Sequence, residues 1–514
     1  MVKKLYKRAL TGLTMTVAGV GLLQAQSQNK APNILYIMAD DHTAQAISAY
    51  GGFLGKYLPT PNLDRIAKEG VRMNNCFVTN SISTPSRACI LTGQYSHKNG
   101  VYTLEEPLDR NHPNVAKELQ KAGYQTAIVG KWHLVTEPAG FDFYNVLPGQ
   151  GRYYNPLLIR TGDWTKGRNG QPQMTEYGGH STDVITNEAI GFMQQASKDK
   201  PFFLMCHFKA PHRSWEPAHR FQNLLKDVDI PEPDNLLDTY EGKGQYTQFL
   251  RMSMEDMNRT DLKGETIPEN LTRDEKRHWV YQRYIKDYLR CIAGIDENVG
   301  RLLKYLDDNG LTENTIVIYT SDQGFFLGEH GWFDKRLMYE ECLRMPLLIR
   351  YPKEIKPGTV NDDMVMNLDF APLFLDFAGI QTPSYMQGES FRANLKGQTP
   401  ATWRKSMYYR YWMNNDGAHY VAANYGIRTE RYKLIFYYAK ALGKNGTSEY
   451  QSLQPEWELY DLQNDPTEMR NIYNDPANRK LIAQLKKELL QLKEKYEDQD
   501  SKYPEMQAIV KKYW

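Results

Sequence analysis

At 514 residues, with 41% hydrophobic and 24% charged residues, the chain has the composition of a globular protein with room for a large and a smaller domain. That composition excludes a disordered chain and a polytopic membrane bundle, and a formal charge of only +2 argues against a nucleic-acid-binding polycation. The five cysteines are scattered, odd in number and without C-x-x-C spacing, which disfavours thiolate zinc and leaves at most two disulfides.

The chain opens with Lys3, Lys4, Lys7 and Arg8 ahead of an uncharged run from Ala9 to Leu23, closed by the small-residue pattern LQA. This is the pattern of a secretory signal peptide over residues 1–25, cleaved after Ala25, and it predicts a periplasmic or secreted protein. Cleavage removes four positive charges and takes the formal charge from +2 to −2, so any attraction for anionic substrates has to be local. No later run is long enough to span a bilayer.

Asn33 to Ala39 is a short, mostly apolar run that reads as a buried strand, and residues 63–70 read as a helix stopped at Gly70. In SISTPSRACILTG, residues 81–93, Pro85 suits the first turn of a helix and Gly93 its end. Ser83 is then expected just outside the helix N-terminus, where free N–H groups and the dipole favour an anion, with Arg87 one turn in. NVAKELQKAGYQTAIVGKWHL reads as helix, turn and strand, KPFFLMCHFKAPH as a strand, and residues 315–324 as another strand after a helix at about 277–308. Strands alternating with helices predict an α/β domain over 30–395 with a mostly parallel central sheet. Aromatic-rich strand patterns follow, and Leu481, Leu485, Leu489, Leu492 and Tyr496 share a helix face. Residues 396–514 therefore read as a smaller α+β subdomain with an antiparallel sheet and one long helix.

Ligands in such sheets bind beyond the carboxyl ends of the strands. Polar groups collect there: Asp40 and Asp41 after the first strand, Lys131 and His133 after AIVG, His212 after FLMCHF, and Asp322 after VIYT.

Taken together, these blocks resemble the type I sulfatases of the alkaline-phosphatase superfamily over nearly the whole chain after residue 25. SISTPSRACILTG matches the signature (Cys or Ser)-x-Pro-Ser-Arg-x-x-x-Leu-Thr-Gly, and MADDH, GKWHL, KAPH, SDQGFFLGEHGWFDK and ELYDLQNDPTEMRNI match further blocks in order. The resemblance implies that Ser83 is oxidised to Cα-formylglycine, whose hydrated aldehyde is the nucleophile. Its Ser form is similar to bacterial enzymes matured by an anaerobic radical-type formylglycine-forming enzyme. Asp40, Asp41 and Asp322 offer hard oxygen ligands suited to Ca²⁺, to which Gln323 adds an amide oxygen and matured Ser83 a further ligand. The position of Gln323 often carries Asn or His in the family, and that of Asp334 often carries Gly.

By the same resemblance, Arg87 holds the hydrate in place, and Lys131, His212 and Lys335 bind sulfate. His212 is the general acid for the departing sugar oxygen, and His133 takes the hydrate proton that expels sulfate. LTGQYSHKNGVYT, TSDQGFFLGEHGWFDKRLMYEE and HYVAANYGIRTERYKLI resemble the glucosamine 6-sulfatase branch. The implied reaction is exo-acting 6-O-desulfation of N-acetylglucosamine 6-sulfate in heparan-type or mucin-type glycans, as in bacterial glycosaminoglycan degradation. Arg410, Trp412 and His419 are the candidate sugar contacts, with packing between domains as their alternative role. Other sugar sulfates, phosphate or phosphonate monoesters, and non-catalytic glycan binding stay open as alternatives.

Overall fold

The computed structural model describes residues 31–514, and the segment read as a signal peptide lies outside the described residues. All seven residues of β1 (Asn33–Ala39) are buried. Ile34, Tyr36 and Met38 enter one apolar cluster while Leu35, Ile37 and Ala39 enter another, so successive side chains serve the two faces of a sheet covered on both sides. β1 pairs in parallel with β7 (Phe202–His207) and β8 (Thr315–Ser321), and β7 pairs in parallel with β3 (Gln125–Lys131). β4 (Phe143–Leu147) extends this parallel centre.

Beyond it the sheet is mixed. β11 (Arg344–Arg350) runs antiparallel to both β8 and β2 (Val71–Phe77), and β12 (Thr359–Met366) lies parallel to β2 at the edge. At the other edge, β5 (Leu157–Arg160) and β6 (Thr175–Glu176) pair antiparallel. The expected mostly parallel sheet is thus a ten-stranded mixed sheet whose parallel part is its centre, where the buried strands lie. A two-stranded hairpin, β9 (Phe326–Leu327) and β10 (Phe333–Asp334), stands above it.

Helix α1 (Ser83–Thr92) is buried along its whole length and ends at Gly93, whose φ of 67° closes it in the left-handed region. It begins two residues before Pro85, with the Ser86 N–H donating to the Ile82 carbonyl at 3.0 Å. Ser83 is therefore the first helical residue rather than one outside the helix. A proline is tolerated anywhere in the first turn, where N–H groups lack helical partners, so Pro85 alone did not locate the start.

On the opposite face lies α2 (Arg273–Asp308), 36 residues long, capped by a reciprocal Thr272–Glu275 box. It starts ahead of the expected 277 because its first turn is polar and carries no apolar period.

The C-terminal part forms the expected antiparallel sheet of β13 (Ser406–Tyr411), β14 (Asn424–Thr429), β15 (Tyr432–Tyr437) and β16 (Glu456–Asp461). Helix α3 (Arg479–Lys495) buries Leu485 and Leu489. All five cysteines are buried free thiols. Among the described residues no helix is long and apolar enough to cross a membrane.

Candidate active site

Four neighbouring parallel strands deliver their polar residues to one place. A side chain at Gly130 would put its Cβ 2.0 Å from the His207 carbonyl oxygen, so glycine lets β3 lie this close to β7 just before Lys131. At the end of β1 the chain turns at Asp41 with φ of 69°, a conformation unusual for a residue with a side chain. Tyr288 of α2 holds that turn, donating to the Asp41 carbonyl at 2.7 Å and accepting the Thr43 N–H at 3.0 Å.

Ser83 stands over this floor at the start of α1 and donates to Asp40 Oδ1 at 3.1 Å, with Gln323 Nε2 3.5 Å from its oxygen. Arg87, one turn on, clamps Asp322 Oδ2 through Nε and Nη2 at 3.1 and 3.0 Å and donates to the Lys131 carbonyl at 2.7 Å. Lys131 Nζ pairs with Asp40 and donates to Gln150 Oε1 at 2.7 Å. Lys335 Nζ donates to Asp41 Oδ2 at 2.7 Å. Three buried carboxylates, Asp40, Asp41 and Asp322, thus meet three buried cations, Arg87, Lys131 and Lys335.

The environment separates the carboxylates. Burial pushes Asp40 up, but Lys131, His212 and Arg87 outweigh it and hold its pKa well below the usual range. Burial raises Asp41 to about 7 against the pull of Lys335, and it also raises Asp322. His133 and His212 are held well below the ordinary histidine value, first by burial and then by Lys131. His212 Nδ1 lies 2.6 Å from the Arg213 carbonyl oxygen, so this nitrogen carries the hydrogen and Nε2 faces Asp41 Oδ2 at 3.9 Å. His133 Nδ1 sits 3.4 Å from Thr84 Oγ1 at the helix start.

The donor set fits a divalent cation. Ligand atoms of Asp40, Asp41 and His212 lie within 4.8 Å of one another, and Gln323 Oε1 is buried without a hydrogen-bond partner. Asp322 is more heavily engaged, since Oδ1 accepts the Asp41 N–H at 3.1 Å and Oδ2 accepts Arg87. Carboxylate and amide oxygens favour a hard ion.

A pocket of about 180 Å³ opens above Ser83, shared by Leu104, Gln150, His212, Lys335 and a polar set of Asp334, Arg336 and His419. Burial raises Asp334, but Lys335, His419 and Arg336 overcome it and hold the carboxyl well below its usual range. Asp334 and Arg336, with φ of 75° and 96°, join Asp41 and His133 in the left-handed region.

His419 lies in the pocket as a sugar contact should, but Arg410 and Trp412 do not. Arg410 stacks over Trp412 at 3.5 Å and pairs with Asp498 at 2.9 Å, both side chains being fully buried. Trp412 packs edge-on against Tyr102. These two take the alternative role, packing between the parts of the chain. Gln150, Asp334 and Arg336 are pocket residues that sequence reasoning did not assign to the site. The uninterrupted DKR after the aromatic WF was the signal for two of them.

Residues 32–380 match the family model described as Sulfatase, and residues 328–495 match that of the N-sulphoglucosamine sulphohydrolase C-terminal region. An N-acetylglucosamine-6-O-sulfatase of Bacteroides thetaiotaomicron is 44% identical over 92% of this chain and 88% of its own. A solved protein in complex with its substrate D-glucosamine-2-N,6-O-disulfate is 43% identical, with a TM-score of 0.81 over 92% of this chain and 99% of that one. A phosphonate monoester hydrolase from Silicibacter pomeroyi, at 21% identity and a TM-score of 0.71 over 90% of this chain and 96% of that one, shares the fold.

Proposed function

Because the chain belongs to the sulfatase family, we propose that it removes the 6-O-sulfate from a terminal N-acetylglucosamine 6-sulfate of heparan-type or mucin-type glycans. The observation that carries this choice of sugar is the 44% identity to an N-acetylglucosamine-6-O-sulfatase across most of both chains. A pocket of about 180 Å³ suits a single ring at a chain end better than the middle of a polymer. Asp334, Arg336 and His419 supply donors and acceptors for ring hydroxyls.

Maturation of Ser83 to formylglycine would supply the nucleophile, and Asp40, Asp41, Asp322 and Gln323 would hold a cation such as Ca²⁺, which would supply the positive charge that a balanced set of carboxylates and cations lacks. Arg87, anchored on Asp322 and on the Lys131 carbonyl, keeps the start of α1 fixed relative to β3 and β8. Lys131 and Lys335 are the two ammonium groups beside Ser83 for sulfate oxygens, each already oriented by a carboxylate. His212, its Nδ1 hydrogen committed to a backbone carbonyl, presents Nε2, which delivers a proton to the departing sugar oxygen as the imidazolium, the form that a bound sulfate anion favours against the burial opposing it. His133 stands beside the helix start, its Nδ1 3.4 Å from Thr84 Oγ1, which supports its reading as the group that takes a proton from the matured residue 83. Residues 1–25 are read as an export signal, and Ser83 as the target of an anaerobic radical-type maturation enzyme.

The test is desulfation of a panel of singly sulfated saccharides, with matched phosphate esters, by protein matured in an anaerobic host. The expected result is release of sulfate from N-acetylglucosamine 6-sulfate ahead of the rest, and a Ser83 peptide two hydrogens lighter. Preference for a phosphate ester or another sulfated sugar would overturn the reading.

A further inference from the structure

Beside the sulfate pocket runs a wider groove of about 620 Å³, which shares Gln150, His212 and Arg213 with it. Two of its cations have no carboxylate. Lys209 is only 4% exposed, and among the described residues its ammonium has neither a hydrogen bond nor an ion pair; it sits 4.8 Å over the Tyr153 ring. Arg152 is exposed at the groove and likewise unpaired among the described residues. The third cation, Arg213, is closed on Asp261 through two bonds of 2.7 and 2.6 Å, leaving Glu216 as the one other carboxylate on the lining.

A buried ammonium without a counter-charge is unfavourable, and an anion entering the groove relieves it. Burial and then Lys131 lower the Lys209 pKa to about 8, against a weaker pull from Asp40, Glu216 and Asp41, none of which it contacts. We infer that Lys209 and Arg152 form a second anion subsite, which takes a further acidic group carried by the same saccharide whose sulfate ester lies above Ser83. That group is either an N-sulfate on the same ring or the carboxylate of the next sugar. The subsite rests on the sugar-sulfatase reading above.

The test compares kcat/KM for three probes: N-acetylglucosamine 6-sulfate, glucosamine 2-N,6-O-disulfate, and a disaccharide whose singly sulfated terminal glucosamine is followed by a uronate. In Lys209→Met the ratio of a doubly acidic probe to the singly acidic one should fall about tenfold, the loss of one charge-assisted contact. A fall with the disulfate alone assigns the subsite to the ring substituent, and with the disaccharide alone to the neighbouring carboxylate. Arg152→Gln, at an exposed position, reads the same ratio should Lys209→Met fail to fold. Unchanged ratios in the folded variants overturn the subsite while leaving the sulfatase reading intact. Turnover of none of the probes by the wild type overturns that reading, and the subsite with it.

Discussion

Ser81 donates a 2.5 Å hydrogen bond to the hydroxyl of Tyr409, which in turn donates to the Arg336 carbonyl at 3.1 Å. One side chain of the small sheet thereby ties together the loop entering α1 and the loop that follows Lys335. Tyr409→Phe leaves a buried hydroxyl and a buried carbonyl short of a partner. Expected is an approximately tenfold lower kcat/KM on a sugar sulfate with the fold retained by circular dichroism, since small displacements of positioned groups are costly in rate. Wild-type kinetics would show that packing alone holds the two loops.

His212→Ala should separate substrates by their leaving group. A sugar alkoxide needs a proton and an activated phenolate does not, so the loss on a sugar sulfate should exceed that on an activated aryl sulfate by about a hundredfold. Equal losses on the two would remove the acid role.

Chelation followed by gel filtration should abolish turnover, and Ca²⁺ should restore it better than Zn²⁺. The melting temperature should fall on chelation and rise with added Ca²⁺, because an ion that binds only the folded chain stabilises it by mass action. Asp40→Asn should remove both effects and also strip Lys131 of its counter-charge.

Away from the site, His330 is fully buried beside Asp238 at 2.7 Å, and burial brings its pKa down to about 4. Between pH 6.5 and 4 the unfolded chain binds the proton that the folded chain refuses. The His330 contribution is therefore complete above pH 6.5 and lost as pH falls to 4, by about 3 kcal/mol. His330→Asn, which tolerates the native φ of 58°, should flatten that part of the stability profile measured by denaturant unfolding.

The floor of the candidate site was legible because its residues follow strands that announce themselves. Asp40, Lys131, His212 and Asp322 each come within a few residues of an unbroken apolar run, and in a parallel sheet those ends converge. Asp334 and Arg336 were missed because they reach the pocket through left-handed backbone, one at the end of the two-residue strand β10 and the other just after it, and no periodicity signals so short an element. Arg410 and Trp412 misled for a different reason. Arg410 lies on β13 and Trp412 directly after it, and the local pattern does not show that both faces of that strand are buried or that Asp498 waits 88 residues away. The start of α2 was readable from Thr272 and Glu275, and the capping pair was passed over in favour of the apolar stripe.

The left-handed residues around the pocket bear on any attempt to make this protein more heat-tolerant. Asp41, His133, Asp334 and Arg336 each hold a positive φ, a strain that glycine would relieve only by also removing a buried polar group such as Asp41, the partner of Lys335. Releasing it would loosen the arrangement that orients substrate. Gly191, inside the helix Ser181–Gln195 with nothing within 4 Å of where a Cβ would stand, is the opposite kind of position. Gly191→Ala should gain about 0.5–1 kcal/mol and leave turnover untouched, so durability and catalytic geometry can be improved at separate addresses in the chain.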